Sequence, residues 1–347
     1  MLALLTALWF GLVRMGWALP APSFELTLAH GALMVCGFLG TLVSLERAVA
    51  LHRPWAYAAP VFAALSVIAL LIALPAFIAR TFIVLAGVML VAIFIVINRI
   101  RFDAAHATMG MGAILWLIGS VLWLFAWPLP AVVPWWAGFL ILTIAGERLE
   151  LARVLLLNSA ARTLFGIVNT VFVVGLFGSL VNLDGGMRVS GVGLVALGLW
   201  LLRFDLARRT IRQTGITQYI AACLLSGYVW LMIGGVLWLV CGGQYLAGPL
   251  YDALMHSIFL GFVMAMIFGH APLIVPAVMH VHIPFSRAFY APLVWLHLTL
   301  MLRVGGDLLL NPTLRMWGGM LNALVLLWFM MSMVLAVRSG LQRARAK

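Results

Sequence analysis

Long apolar stretches, broken by short polar or Pro/Gly-marked gaps, recur from one end of the chain to the other. Twelve can be counted, at about 2–19, 25–45, 55–74, 77–98, 106–127, 131–152, 163–182, 187–204, 217–241, 250–279, 286–309 and 315–337. Most are close to the ~20 residues that an α-helix needs to cross a hydrocarbon core. Breaks fall at Pro20, Pro22, Pro75, Pro128, Pro130, Gly185, Gly186, Gly242, Gly243 and Pro312. These residues end helices because they lack a backbone donor or a Cβ. The longest polar run, Arg203 to Gln218, is too short for a soluble domain. The pattern predicts an all-α polytopic membrane protein of about twelve transmembrane helices in one integral membrane domain, residues 1–347. The first stretch lacks a basic start, so it is expected to stay as a helix rather than act as a cleaved leader.

Composition sharpens this reading. The chain is 65% hydrophobic and 9% charged, with a mean hydropathy of +1.17. A water-exposed surface needs about 25% charged residues. The net charge of +12 is not read as a nucleic-acid footprint. With the N-terminus inside, 16 of the 21 Lys and Arg fall in inner loops or the C-terminal tail. That bias predicts a multi-pass protein of the cell inner (plasma) membrane, with both termini cytoplasmic and the lipid bilayer as its principal partner. Arg14, Arg80, Arg188, Arg303 and Arg315 are the outer exceptions. Three cysteines without a CxxC spacing exclude a disulfide framework and covalently attached haem.

A repeat lies over the apolar pattern. The second stretch reads GFLGTLVSLER, the sixth GFLILTIAGER and the tenth GFVMAMIFGH. In each, Gly-Phe (Gly37, Gly138, Gly261) precedes by nine residues a polar residue, Glu46, Glu147 or His270. Copies four helices apart predict three four-helix arcs about a pseudo-threefold axis, with repeat-like units at about 1–98, 106–204 and 217–337. The glycines are expected either to admit close backbone approach or to leave room for a flat ligand.

Ionisable residues inside a membrane are functional candidates by default. His30 and His256 each lie about six residues into the second and tenth stretches, hence roughly 9 Å deep at 1.5 Å per residue. Neutral imidazoles at one depth are what a six-coordinate haem requires. The alternative is that each bonds a carbonyl of a neighbouring helix.

Three four-helix arcs with outer-end histidines on helices 2 and 10 resemble subunit I of the haem–copper oxidases. The chain is also similar to the NnrS family of haem- and copper-containing membrane proteins, which carries a helix-10 Gly-His like Gly269-His270. The resemblance implies a low-spin haem b between His30 and His256, with Arg303, aided by Arg80 and Arg14, on the haem propionates. It breaks at the catalytic centre. The oxidase His-x-His becomes Leu254-Met255-His256, and residues 131–182 hold no histidine for copper B. An oxygen-reducing binuclear centre is therefore not expected. Arg303 has an alternative partner in Asp307, four residues on and on the same helix face.

The inner end carries further candidates. Glu46, Arg47, Glu147, Arg148 and His270 are expected to form a polar plug, or else a proton relay. His270 with His280 and His282 is a candidate copper site, and His297, deep in the eleventh stretch, is a candidate metal ligand. Pro272 and Pro276 predict a kinked or unwound lower half of helix 10. The expected function is haem b binding in electron transfer, with a redox partner, or in nitric oxide or metal stress response. The alternatives are a cofactor-free proton-linked transporter and a structural membrane subunit.

Overall fold

The computed structural model describes residues 1–20, 23–244, 246–279 and 285–345. It is all-helical, with no strand among the described residues. Twelve apolar helices follow the expected stretches: α1 Leu2–Arg14, α2 His30–Leu51, α3 Pro54–Leu71, α4 Ala76–Ile100, α5 Ala104–Leu124, α6 Leu129–Leu151, α7 Ser159–Gly178, α8 Leu183–Phe204, α9 Gly215–Cys241, α10 Gly248–Val275, α11 Arg287–Leu308 and α12 Pro312–Arg345. Eleven are long and apolar enough to cross a membrane, and only α1, with 13 residues, is shorter. The chain is a polytopic helical membrane protein.

Local chemistry sets the boundaries. Asp103, Asn158 and Asn182 each accept a hydrogen bond from a first-turn N–H of α5, α7 and α8, which satisfies a donor the helix leaves orphaned. At the end of α2, His52 adopts a left-handed φ of 51° just before Arg53-Pro54.

The helices group into two compact units, Met1–Leu151 and Ala152–Lys347, holding α1–α6 and α7–α12. Within each unit every helix packs on the next in sequence. Two copies of the repeat, on α2 and α6, lie in the first unit and the third, on α10, in the second. α6 and α10 are the most buried spans, with 78% and 61% of their core windows inside the protein against 33% for α4. Two of the three Gly-Phe helices are thus the most buried, while the third, α2, at 50% lies below α8 at 56%.

The repeat has a backbone counterpart. Leu33–Leu39 in α2 and Ser257–Met264 in α10 are π-helical, and they are the two π stretches among the described residues. Aligned, LMVCGFL and SIFLGFVM place Gly-Phe at the same fifth and sixth positions. α6 carries the motif in ordinary α geometry.

Two expectations change here. Gly37 and Gly261 leave no slot for a flat ligand. A Cβ on Gly37 would lie 2.6 Å from Val67 of α3, and one on Gly261 would collide with the Trp230 ring of α9. They serve close helix approach, the first of the two roles expected. The lower half of α10 is not unwound either. Ala265–Met279 stays α-helical through Pro272 and Pro276. Each proline removes one hydrogen bond, but in an apolar setting the remaining backbone groups still need partners within the helix. The irregular backbone lies upstream, in the π stretch.

Candidate functional site

In the second unit, the start of α10 meets the end of α11 and the start of α12. Asp252 and His256 sit four residues apart on α10, Arg303 and Asp307 four apart on α11, and Arg315 in the first turn of α12. Each pair therefore faces one way from its helix. Arg303 donates from Nε to Asp252 Oδ2 at 2.7 Å and from Nη2 to Oδ1 at 2.8 Å. Arg315 Nε lies 2.9 Å from Asp307 Oδ1 and 3.9 Å from Asp252 Oδ2. The Asp307 side chain has no exposed surface, and that of Arg303 only 9%. The Arg303–Asp252 pair is fully hydrogen-bonded, whereas both Asp307 oxygens and Arg315 Nε are buried without a hydrogen bond to a described residue.

His256 is tied into this cluster. Its Nδ1 lies 2.9 Å from the Asp252 carbonyl oxygen and 3.3 Å from Asp252 Oδ1. Both are acceptors, so Nδ1 carries the proton and Nε2 is the basic nitrogen. In the first unit His30 is prepared in the same sense. Its Nδ1 donates to the Ala7 carbonyl of α1 at 2.7 Å, and its ring lies over Gly11, where a Cβ would come within 2.9 Å. A metal-ligating imidazole typically donates its other ring N–H to a carbonyl or carboxylate, which fixes tautomer and orientation. His256 directly precedes its π stretch and His30 lies one helical turn, three residues, before the other, a rare backbone geometry that is frequent at functional sites.

The donor chemistry thus fits a haem axial ligand at both positions. The propionate partners differ from expectation. Arg303 is engaged by Asp252 of α10, not by Asp307 of its own helix, because Asp307 faces Arg315. Arg80 lies within α4 rather than in the loop before it, with its guanidinium 5.2 Å over the Trp123 ring. Arg14, at the end of α1, is exposed.

His297 has both ring nitrogens engaged. Trp230 Nε1–H donates to Nδ1 at 3.0 Å, so Nε2 bears the proton and donates to Ser226 Oγ at 2.8 Å. An indole N–H can only donate, which fixes this tautomer. Ser226 in turn donates to the Ala222 carbonyl at 2.8 Å. The arrangement excludes His297 as a base toward Ser226 and occupies the one ring lone pair, on Nδ1, that a metal would use. The Trp230 ring that orders it is the one packed against Gly261.

Three of the five residues expected to form a polar plug, Glu46, Arg47 and Glu147, meet in the first unit. Arg47 of α2 pairs with Glu147 of α6 and, at 3.3 Å, with adjacent Glu46, so the first two repeat copies meet through their Glu-Arg endings. Arg148 is buried beside them in sequence. His106 is held between Asp103 at 2.8 Å and Glu150 at 3.8 Å. His270, in the second unit, bonds the Met266 carbonyl of its own helix at 2.7 Å. His280 and His282 lie outside the described residues. Among the described residues, no three His, Cys, Asp or Glu side chains converge as a metal site. Cys36, Cys223 and Cys241 are buried free thiols.

Asp252 is the site residue that sequence reasoning passed over. The signal was present: it is one of nine acids in the chain, four residues before His256 in an apolar span.

No curated protein and no solved structure matches this chain. A family model does, over residues 1–338, and the chain therefore belongs to the family described as a domain of unknown function, DUF8744.

Proposed function

We propose that this is a haem b-binding protein of the cell inner membrane, with cytoplasmic termini, acting in electron transfer or in nitric oxide or metal stress response without an oxygen-reducing binuclear centre. The observation that carries the reading is the shared preparation of His256 and His30. Each has Nδ1 fixed on a carbonyl, so that Nε2 is the ligating atom, and each lies just upstream of a π stretch, His256 by one residue and His30 by three. The similarity to NnrS proteins points the same way.

Bound haem would supply one-electron redox chemistry or diatomic gas binding. The chain's own residues do the positioning. Asp252 orients the His256 ring and raises its basicity. Arg303 holds the Asp252 carboxylate with two parallel bonds, a geometry that a lysine would not reproduce. In this reading Arg303 acts through Asp252 as a positioning residue.

The test is the absorption spectrum of protein purified from haem-replete cells. A red Soret band is expected, lost in His256→Ala and in His30→Ala. Colourless, metal-free wild-type protein would sink the proposal.

The same outer cluster favours a second reading, proton-linked transport without a cofactor. Five ionisable side chains gather at one end of α10–α12, and such residues mark ion paths in membranes. This reading predicts colourless protein whose proton-linked flux is lost in Asp307→Asn.

A further inference from the structure

The α8–α9 connection and the start of α11 enclose a cavity of about 290 Å³ within the second unit. Thr214, Gly215, Gln218, Phe285, Arg287 and Tyr290 line it. Its chemistry is uneven. The floor is aromatic: Tyr219 lies beneath, 5.2 Å from the Tyr290 ring and 5.9 Å from that of Phe285. The rim is polar and cationic. Arg287 is exposed and makes no ion pair with any described residue. The Tyr290 hydroxyl donates to no described group. Gln218 is anchored through its amide nitrogen to the Ile211 carbonyl at 3.3 Å.

The surroundings carry the same sign. Arg208, Arg209 and Arg212 lie in the connection that leads to Thr214. The one acid there, Asp205, is buried and accepts from the Ala207 N–H at 2.7 Å. The α8–α9 connection is on the side that the arginine count assigns to the cytoplasm. Basic pockets between membrane helices at that level suit phosphate-bearing head groups, and a guanidinium matches a phosphate with paired donors.

We propose that this cavity is a binding site for a phosphate oxyanion, held by Arg287 with the Thr214 and Tyr290 hydroxyls over the aromatic floor. The site lies apart in sequence from the His256 cluster and does not depend on haem. Two sources carry this chemistry, an anionic phospholipid and a soluble phosphate, and the experiment separates them.

Full-length protein is placed in nanodiscs of phosphatidylcholine alone or mixed with phosphatidylglycerol. Retained lipid is counted by native mass spectrometry, and the unfolding midpoint is followed as inorganic phosphate is added. A lipid site retains phosphatidylglycerol several-fold over phosphatidylcholine. A soluble-anion site shows a phosphate-dependent rise in midpoint without that preference. In either case Arg287→Gln reduces the effect several-fold and Arg287→Lys keeps most of it. Thr214→Asp, which places a carboxylate at the rim, abolishes it in protein that remains folded. The proposal is overturned if wild type shows neither effect, or if Arg287→Gln and Thr214→Asp leave the effect unchanged.

Discussion

Arg303 and Asp252, 51 residues apart in sequence, form a two-bond ion pair that clamps the end of α11 to the start of α10. It brings Arg303 to the acid that also lies against His256. Breaking such a pair from one side leaves a buried charge uncompensated, at a cost of about 3–5 kcal/mol.

Arg303→Gln is therefore expected to lower stability by about 3–5 kcal/mol, the usual range for removing one member of a buried pair. Thermal unfolding in detergent checks it. Asp252→Asn combined with Arg303→Gln removes both charges and should recover part of the loss. A double variant no better than the worse single one would show that the pair is not coupled.

At the inner end, Arg47→Met should cost more than Glu147→Gln. Arg47 faces both Glu46 and Glu147 and has only 12% of its side chain exposed. Its loss strands two carboxylates, whereas the glutamine still accepts a hydrogen bond. Unfolding midpoints of the two variants decide the order.

His297→Leu should destabilise by about 1–3 kcal/mol, the cost of leaving the Trp230 N–H without its acceptor. Bound pigment and metal content should not change, because both ring nitrogens serve hydrogen bonds. Loss of copper or of a Soret band in this variant would contradict the tautomer argued above.

Gly261→Ala should also destabilise, by about 1–3 kcal/mol, because the added methyl meets the Trp230 ring. Pairing it with Trp230→Leu should relieve the clash but recover only part of the midpoint, because His297 Nδ1 then loses its donor.

Much of the fold was legible in advance, since hydrocarbon thickness makes helix number a matter of run length. All twelve helices lie where the apolar stretches put them. The π geometry that α2 and α10 share in register with Gly-Phe had no signal in the spacing. The partners of the polar residues were less legible. Arg303 had a plausible neighbour in Asp307 by spacing, yet took Asp252. His297 had no partner visible in sequence and found two, Ser226 and Trp230, on one face of α9.

By itself, the sequence determined the polytopic membrane class and where the helices fall along the chain. These depend on runs and spacings along one chain. The tertiary structure decided which charge meets which, the tautomers of His256, His30 and His297, and the filling of the glycine notches. Backbone groups bond within their own helix, but Arg303 and the Trp230 N–H take partners on a neighbouring helix, and a choice among distant residues is set by packing, not by spacing.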